Sequence, residues 1–206
     1  SGSGAGHSLT IHQPLRARQL GPKRYAISGT PTDCVLLGVK EILPDDAPVS
    51  LVVSGINHGD NVAENITYSG TIAATMEATL LGIPAIAFSR AITDDGELTW
   101  HSTQTGVQRV MEALQGFTLA PSTLLSVNIP DCPVEALAPP AAARQGQRWI
   151  HDDVETRIDP RGRTYYWIGG SNNGGSPPAA QTDCALLDNR HITVTPLSLD
   201  LTHRGM

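Results

Sequence analysis

Several features that define common functional classes are scarce in this sequence. Its 206 residues contain only three cysteines, widely spaced and without a Cys-X-X-Cys pair, which argues against a disulfide framework and a structural zinc site. Reduced thiols of this kind predict a cytoplasmic protein. The net charge is −6, with no basic cluster, so binding to nucleic acid polymers through their phosphates is not expected.

Long apolar runs and the motifs of two enzyme classes are missing as well. No stretch approaches the ~20 apolar residues of a membrane-spanning helix, so no membrane partner is expected. The chain has no Gly-X-Ser-X-Gly nucleophile motif and no phosphate-binding loop of the Gly-X4-Gly-Lys type. An ester hydrolase built on a Ser/His pair therefore remains only a weak alternative.

The first 130 residues alternate between two hydrophobic patterns. Strand-like runs cover 49–53, 83–88 and 124–129, shorter strands are predicted at 9–12 and 24–27, and helices are predicted over 31–43, 70–81 and 102–115. Thr30 and Ser69 stand where N-terminal helix caps are expected. Alternating buried strands and helices predict an α/β fold with a Rossmann-like, doubly wound, mostly parallel sheet.

The pattern changes after Pro130. Residues 139–143 resemble a linker, and 149–150 and 164–168 resemble the strands of an antiparallel hairpin, with a turn at Asp159-Pro-Arg-Gly162. A short helix capped by Thr182 and a last strand over 191–196 follow. We therefore expect one domain over 1–206, with an α/β core in 1–130 and the hairpin arm, short helix and last strand in 131–206.

The segment Ser54–Glu77 is rich in neutral oxygen atoms. It holds three asparagines and five Ser or Thr hydroxyls but no Lys or Arg, and it follows the carboxyl end of a predicted buried strand, where α/β proteins bind their ligands. The side-chain oxygens of Asn57 and Asn61 suit a hard ion such as Mg²⁺ or Mn²⁺. Ser69, Gly70 and Thr71 place hydroxyl and N–H groups at a helix N-terminus, which favours phosphate.

The same residue types also have a purely structural interpretation. Gly and Asn are common in turns, and a serine at the start of a helix is often only a cap. His7 and His58 lie within these polar segments and suit either a general acid or a surface position. Two charged runs have the residue types of a metal site but are more typical of solvated segments, namely Asp45-Asp46 and His151-Asp152-Asp153.

Five motifs in collinear order resemble the stationary-phase survival protein (SurE) nucleotidase family. They are SGAGHSLT at 3–10, GTPTDCV at 29–35, SGINHGDN with YSGT at 54–71, DPRGRTYYWIG at 159–169, and TDCALLDNRHITVTPLSLDLT at 182–202. Each motif alone is weak, but together they span nearly the whole chain. The resemblance implies a Rossmann-like core and a divalent-metal-dependent phosphatase acting on nucleoside 5′- and 3′-monophosphates. It also implies assembly into a homodimer or homotetramer through the arm.

The resemblance also implies roles for particular residues. In the family pattern a serine and an asparagine hold the metal, and these fall on Ser3 and Asn57, which are therefore the expected catalytic and metal residues. The phosphate-binding positions of the pattern fall on Asn61, Ser69, Gly70 and Thr71. Two adjacent aspartates after a first strand complete the family's metal site, but this sequence contains no Asn-Asp-Asp-Gly turn.

That departure leads to two further expectations. The sequence is expected to lack the family's N-terminal strand, which would belong in the middle of the sheet, and its C-terminal end. The alternative function is then an inactive, truncated family member that acts only as a nucleotide-binding or oligomerising module.

Overall fold

The computed structural model of the chain describes residues 6–43, 48–92, 100–147, 153–169 and 179–202. Its strands are β1 Ala17–Gly21, β2 Arg24–Ile27, β3 Val52–His58, β4 Ala85–Arg90, β5 Thr123–Ile129, β6 Ala138–Ala142, β7 Asp153–Ile158, β8 Thr164–Gly169 and β9 His191–Ser198. Its α-helices are α1 Pro31–Leu37, α2 Gly70–Leu80, α3 Trp100–Ala113 and α4 Asp183–Asp188. No helix among the described residues has the length and apolar character needed to cross a membrane.

A five-stranded central sheet organises the fold in the order β3-β4-β5-β9-β6. Strands β3, β4 and β5 are mutually parallel, and β9 runs antiparallel to β5. Helix α2 shares one core cluster with Ala85 and Ala87, whereas Val110 of α3 shares another with Ile86 and Phe88. Because successive residues of a strand point to opposite faces, the two helices cover opposite faces of the sheet, which confirms the predicted α/β fold.

The predicted helix starts are confirmed by their caps. The Thr30 hydroxyl accepts from the Asp33 amide at 3.1 Å, and the Asp33 carboxylate accepts from the Thr30 amide at 2.8 Å. Ser69 likewise caps α2 by accepting from the Ile72 amide at 3.2 Å. The first predicted helix, 31–43, is α-helical only over Pro31–Leu37, and a π-helical turn over Gly38–Ile42 follows it.

Two strand predictions need correction. Residues 9–12 form no strand, because the Thr10 amide donates to the Asp33 carboxylate rather than to a neighbouring strand. The strand predicted over 49–53 begins only at Val52 and continues to His58. Strand β3 pairs only with β4, and that strand starts at Ala85, so pairing cannot begin earlier.

The segment 139–143, predicted as a linker, contributes to strand β6 instead. Prolines are tolerated there because β6 is the last strand of the sheet, and an edge strand can leave one side without N–H donors. Strand β9 also lies in the central sheet, so this sheet draws on the 131–206 half as well as on 1–130. The five strands of the central sheet are paired without interruption, with β3 at the edge opposite β6.

The hairpin arm consists of β7 and β8 alone. Their antiparallel pairing and the turn at Asp159–Gly162 are confirmed, with the Gly162 amide donating to the Asp159 carbonyl at 2.9 Å. The predicted strand at 149–150 lies outside the described residues, and the observed first strand begins at Asp153.

Candidate active site

The site forms where the carboxyl end of β3 meets the N-terminus of α2. The Asn57 Oδ1 atom accepts from the Thr71 hydroxyl at 3.3 Å, and its Nδ2 atom donates to the Gly59 carbonyl at 2.9 Å. Because the amide nitrogen is occupied by Gly59, the Asn57 oxygen is held toward the start of α2. The structure therefore brings together Asn57 and Thr71, which are 14 residues apart in the sequence.

The first turn of α2 offers donors for an anion. Ser69 accepts from the Ile72 amide through its hydroxyl, and its carbonyl accepts from the Ala73 amide. Among the residues that the structure describes, no partner is found for the backbone N–H groups of Gly70 and Thr71. Unpaired N–H groups at a helix N-terminus, together with the helix dipole, form a favourable phosphate site.

Asn61 lies close to this region but is buried. Its side-chain nitrogen donates to the Ser89 hydroxyl at 2.7 Å, and its backbone amide donates to the Asn128 side chain at 2.7 Å. Only 5% of Asn61 is exposed. These contacts join the loop after β3 to the ends of β4 and β5.

Asp183 holds the same loop from the other side, and sequence reasoning missed this role. Its fully buried carboxylate accepts from the backbone amides of Ala63 at 3.0 Å, Gly146 at 2.7 Å and Cys184 at 2.8 Å. Three chain segments far apart in the sequence therefore meet at one carboxylate. The only sequence signal was its place beside the Thr182 cap, which predicts a helix start and no long-range contact.

Ser3 lies outside the described residues, but the segment that follows it contacts α2 and the residue Tyr68 just before that helix. The Gly6 amide donates to the Tyr68 carbonyl at 3.2 Å, and the His7 Nε2 atom lies 3.2 Å from the Glu77 Oε2 atom. Glu77 is buried, whereas His7 is exposed. The segment at 6–7 therefore packs beside α2, between Tyr68, which precedes the helix, and Glu77 in its second half.

Asp33 anchors the next part of this segment. Its carboxylate accepts from the Thr10 amide at 2.9 Å and from the Thr10 hydroxyl at 2.6 Å. Burial acts to raise the pKa of Asp33, but the hydrogen bonds from Thr10 and Thr30 outweigh it, and the pKa lies below its ordinary value. The carboxylate is therefore the stable form in the folded protein.

The ionic part of the site is incomplete within the described residues. They contain no group of three or more His, Cys, Asp or Glu side chains placed to hold a metal ion. Asp45-Asp46 lies outside them, as do His151 and Asp152. His58 is exposed at the end of β3. The described part of the site contains the neutral side-chain oxygens of Asn57 and Thr71 and the backbone N–H groups at the start of α2.

Comparison with known proteins identifies the family. The family model described as survival protein SurE matches residues 1–152. The chain is 45% identical to the 5′-nucleotidase SurE of Pelobacter propionicus over 201 residues, which cover 98% of this chain and 80% of that protein. It is also 45% identical to the 5′-nucleotidase SurE of Rhodospirillum rubrum, covering 97% of this chain and 77% of the relative.

A solved structure supports the same conclusion. The crystal structure of the SurE protein from Aquifex aeolicus is similar to this fold with a TM-score of 0.82 and 38% identity, covering 98% of this chain and 80% of that one. The shared fold, the family model and the relatives agree, and the chain belongs to the SurE family.

Proposed function

We propose that this chain is a metal-dependent phosphomonoesterase that hydrolyses nucleoside 5′- and 3′-monophosphates to nucleoside and phosphate. The observation that carries the proposal is the contact between Asn57 Oδ1 and the first turn of α2, where the N–H groups of Gly70 and Thr71 have no partner among the described residues. An oxygen ligand thus stands beside an anion site. The similar proteins named 5′-nucleotidase SurE support the same reaction.

The donors at this site fit a hard divalent ion. An amide oxygen and a hydroxyl are ligands that Mg²⁺ and Mn²⁺ accept and that zinc disfavours. Asn57 and Ser3 are the residues proposed to hold the ion. When bound, the ion would polarise a phosphoryl oxygen and lower the pKa of a bound water molecule.

The other residues would orient and stabilise the phosphoryl group. The N–H groups of Gly70 and Thr71 would donate to its equatorial oxygens, where charge is greatest during transfer. The Thr71 hydroxyl donates to Asn57 Oδ1, so it would connect the proposed metal ligand to the phosphate-binding turn. Ser69 and Asn61 are proposed to hold the phosphate-binding turn in shape, because their polar atoms already have protein partners.

The hairpin arm supports self-association. Its strands β7 and β8 expose Val154, Ile158, Tyr166, Trp167 and Ile168, each by more than half of its surface. A two-stranded hairpin with this much apolar surface is marginal in water unless another surface covers it. We therefore include a homodimer or homotetramer in the proposal. A cytoplasmic location is proposed as well, because three widely spaced cysteines do not suit the disulfide framework of an exported protein.

Phosphate release from adenosine 5′-monophosphate tests the proposal. We expect turnover with Mn²⁺ or Mg²⁺ and none with a chelator. Asn57→Ala should lower activity by at least about 10- to 100-fold, the loss typical of even the outer ligands of a metal site. Asn189→Ala, which changes an asparagine at the end of α4, is the matched control and should retain full activity.

Two results would contradict the proposal. Full activity of the Asn57→Ala variant would show that Asn57 is not a ligand of the metal ion. Nucleotide binding without turnover in any metal would favour the alternative, a nucleotide-binding or oligomerising module. One observation favours this alternative: the described residues contain no cluster of His, Cys, Asp or Glu side chains that could hold a metal ion.

A further inference from the structure

Trp100 is an exposed aromatic side chain at the edge of the sheet that carries the site. It is the first residue of α3, and 53% of it is exposed. Helix α3 follows β4, so its N-terminus lies near the carboxyl end of that strand. The Arg90 guanidinium, at the last residue of β4, lies 5.1 Å from the Trp100 ring centroid and fixes this position.

Arg90 is an unusual support for the ring because it is almost fully buried. Only 2% of it is exposed, and its Nη2 atom lies 3.6 Å from the Asp131 carboxylate. Its Nε and Nη1 atoms have no hydrogen-bond partner within the part of the chain that the structure describes. Burying a cation is unfavourable unless other groups compensate for its lost hydration, and Arg90 has both the Asp131 carboxylate and the Trp100 ring beside it.

Trp100 and the first turn of α2 follow the carboxyl ends of two neighbouring parallel strands, β4 and β3. Helix α2 after β3 and helix α3 after β4 cover opposite faces of the sheet, and ligands of α/β proteins bind where neighbouring connections diverge in this way. The Gly59 amide donates to the Arg90 carbonyl at 3.0 Å across this point. Asn57 pairs with Ser89, so strand and residue spacings put the Asn57 and Arg90 Cα atoms within about 9 Å.

We propose that Trp100 stacks on the nucleobase of the substrate, with Arg90 as the positioning residue that holds the ring. The inference rests on the proposed function, because a phosphate at the start of α2 would leave the nucleoside to extend past the carboxyl ends of β3 and β4 toward α3. The Arg90 guanidinium backs the indole ring, and the exposed part of the ring is available to a base. Stacking on an aromatic ring accepts every base, so purine and pyrimidine nucleotides are both substrates.

Steady-state kinetics with two substrates test the inference. For Trp100→Ala we expect the KM for adenosine 5′-monophosphate to rise about tenfold with kcat nearly unchanged, the loss typical of one stacked base. The KM for ribose 5-phosphate, which has no base, should not change. Trp100→Phe should recover most of the loss, and Arg90→Met should raise the KM for the nucleotide but not for the sugar phosphate.

Phe117→Ala is the matched control. Phe117 is similarly exposed, at 63%, but lies beyond the other end of α3, beside Leu51 and Pro84 that precede β3 and β4. An equal loss for both substrates in Trp100→Ala, or no change in the nucleotide KM, would overturn the stacking role while leaving the proposed function intact.

Adenosine binding in the presence of a chelator distinguishes a failure of the proposed hydrolysis from a failure of the stacking role of Trp100. If the wild-type protein hydrolyses neither phosphate but binds adenosine more tightly than Trp100→Ala does, the proposed function fails and the stacking role stands. If there is no turnover and adenosine binding does not depend on Trp100, both are wrong.

Discussion

Replacing Asp183 by asparagine tests how the loop after β3 is held. The carboxylate accepts three backbone N–H groups in a fully buried position. Hydrogen bonds to a charged group contribute about 1.5–3 kcal/mol each. An asparagine can keep the two bonds to Gly146 and Cys184 through its oxygen, but it then places an amide NH₂ opposite the Ala63 N–H.

The expected loss follows from that geometry. One charge-assisted bond disappears and one buried backbone donor is left unpaired, so Asp183→Asn should lower the free energy of unfolding by about 2–3 kcal/mol. Turning the amide round would be worse, because two backbone donors would then face the NH₂ group. A domain of this size has only about 5–15 kcal/mol in total, so the shift should be easy to measure.

Urea denaturation followed by circular dichroism provides the measurement. Asp188→Asn is the control, since Asp188 lies in the same helix but is exposed, and it should change the free energy of unfolding by less than about 0.5 kcal/mol. If the two variants unfolded at the same urea concentration with equal slopes, the Asp183 carboxylate would not be the anchor of the loop.

Two further predictions concern stability. The pKa of Asp33 is lowered in the folded state, because hydrogen bonds led by the Thr10 side chain outweigh the effect of burial. The contribution of Asp33 to the free energy of unfolding should therefore be present above its unfolded pKa of about 3.9 and should be lost as pH falls through the lower folded value. Asp33→Asn should therefore flatten the acid side of a plot of unfolding free energy against pH, and an unchanged slope would count against it. Gly55→Ala should be more destabilising in thermal unfolding than Gly116→Ala: both glycines have positive φ, but only at Gly55 would the new Cβ meet a backbone atom, the Phe88 carbonyl oxygen. Equal losses would show that backbone conformation alone matters.

Local features were predictable wherever neighbouring residues decide them. The Thr30 and Ser69 caps, the turn at Asp159–Gly162 and the starts of α1 and α2 all depend on residues within four positions of one another. The alternation of strands and helices gave the fold class because buried parallel strands have a recognisable composition. The roles of Asn57, Asn61, Ser69, Gly70, Thr71 and Ser3 stay predictions.

Features that depend on pairing across the chain were not predictable. The segment containing Pro139 and Pro140 has the composition of a linker, yet it forms an edge strand because β9 is available beside it. Strand β9 enters the central sheet antiparallel to β5, although its position after the hairpin suggested an arm.

The sequence by itself determined the fold class, the helix caps and the polar segment between β3 and α2, since each follows from residue type and local spacing. Only the tertiary structure decided that Asp183 joins the distant amides of Ala63 and Gly146 and that the Arg90 guanidinium lies against the Trp100 ring. Hydrogen bonds and ring contacts act over a few ångströms in space. No pattern in the sequence shows which residues far apart along the chain will come that close. Nearby residues determine where the helix and strand at the site begin and end, whereas the long-range contacts that hold them in place form only in the folded protein.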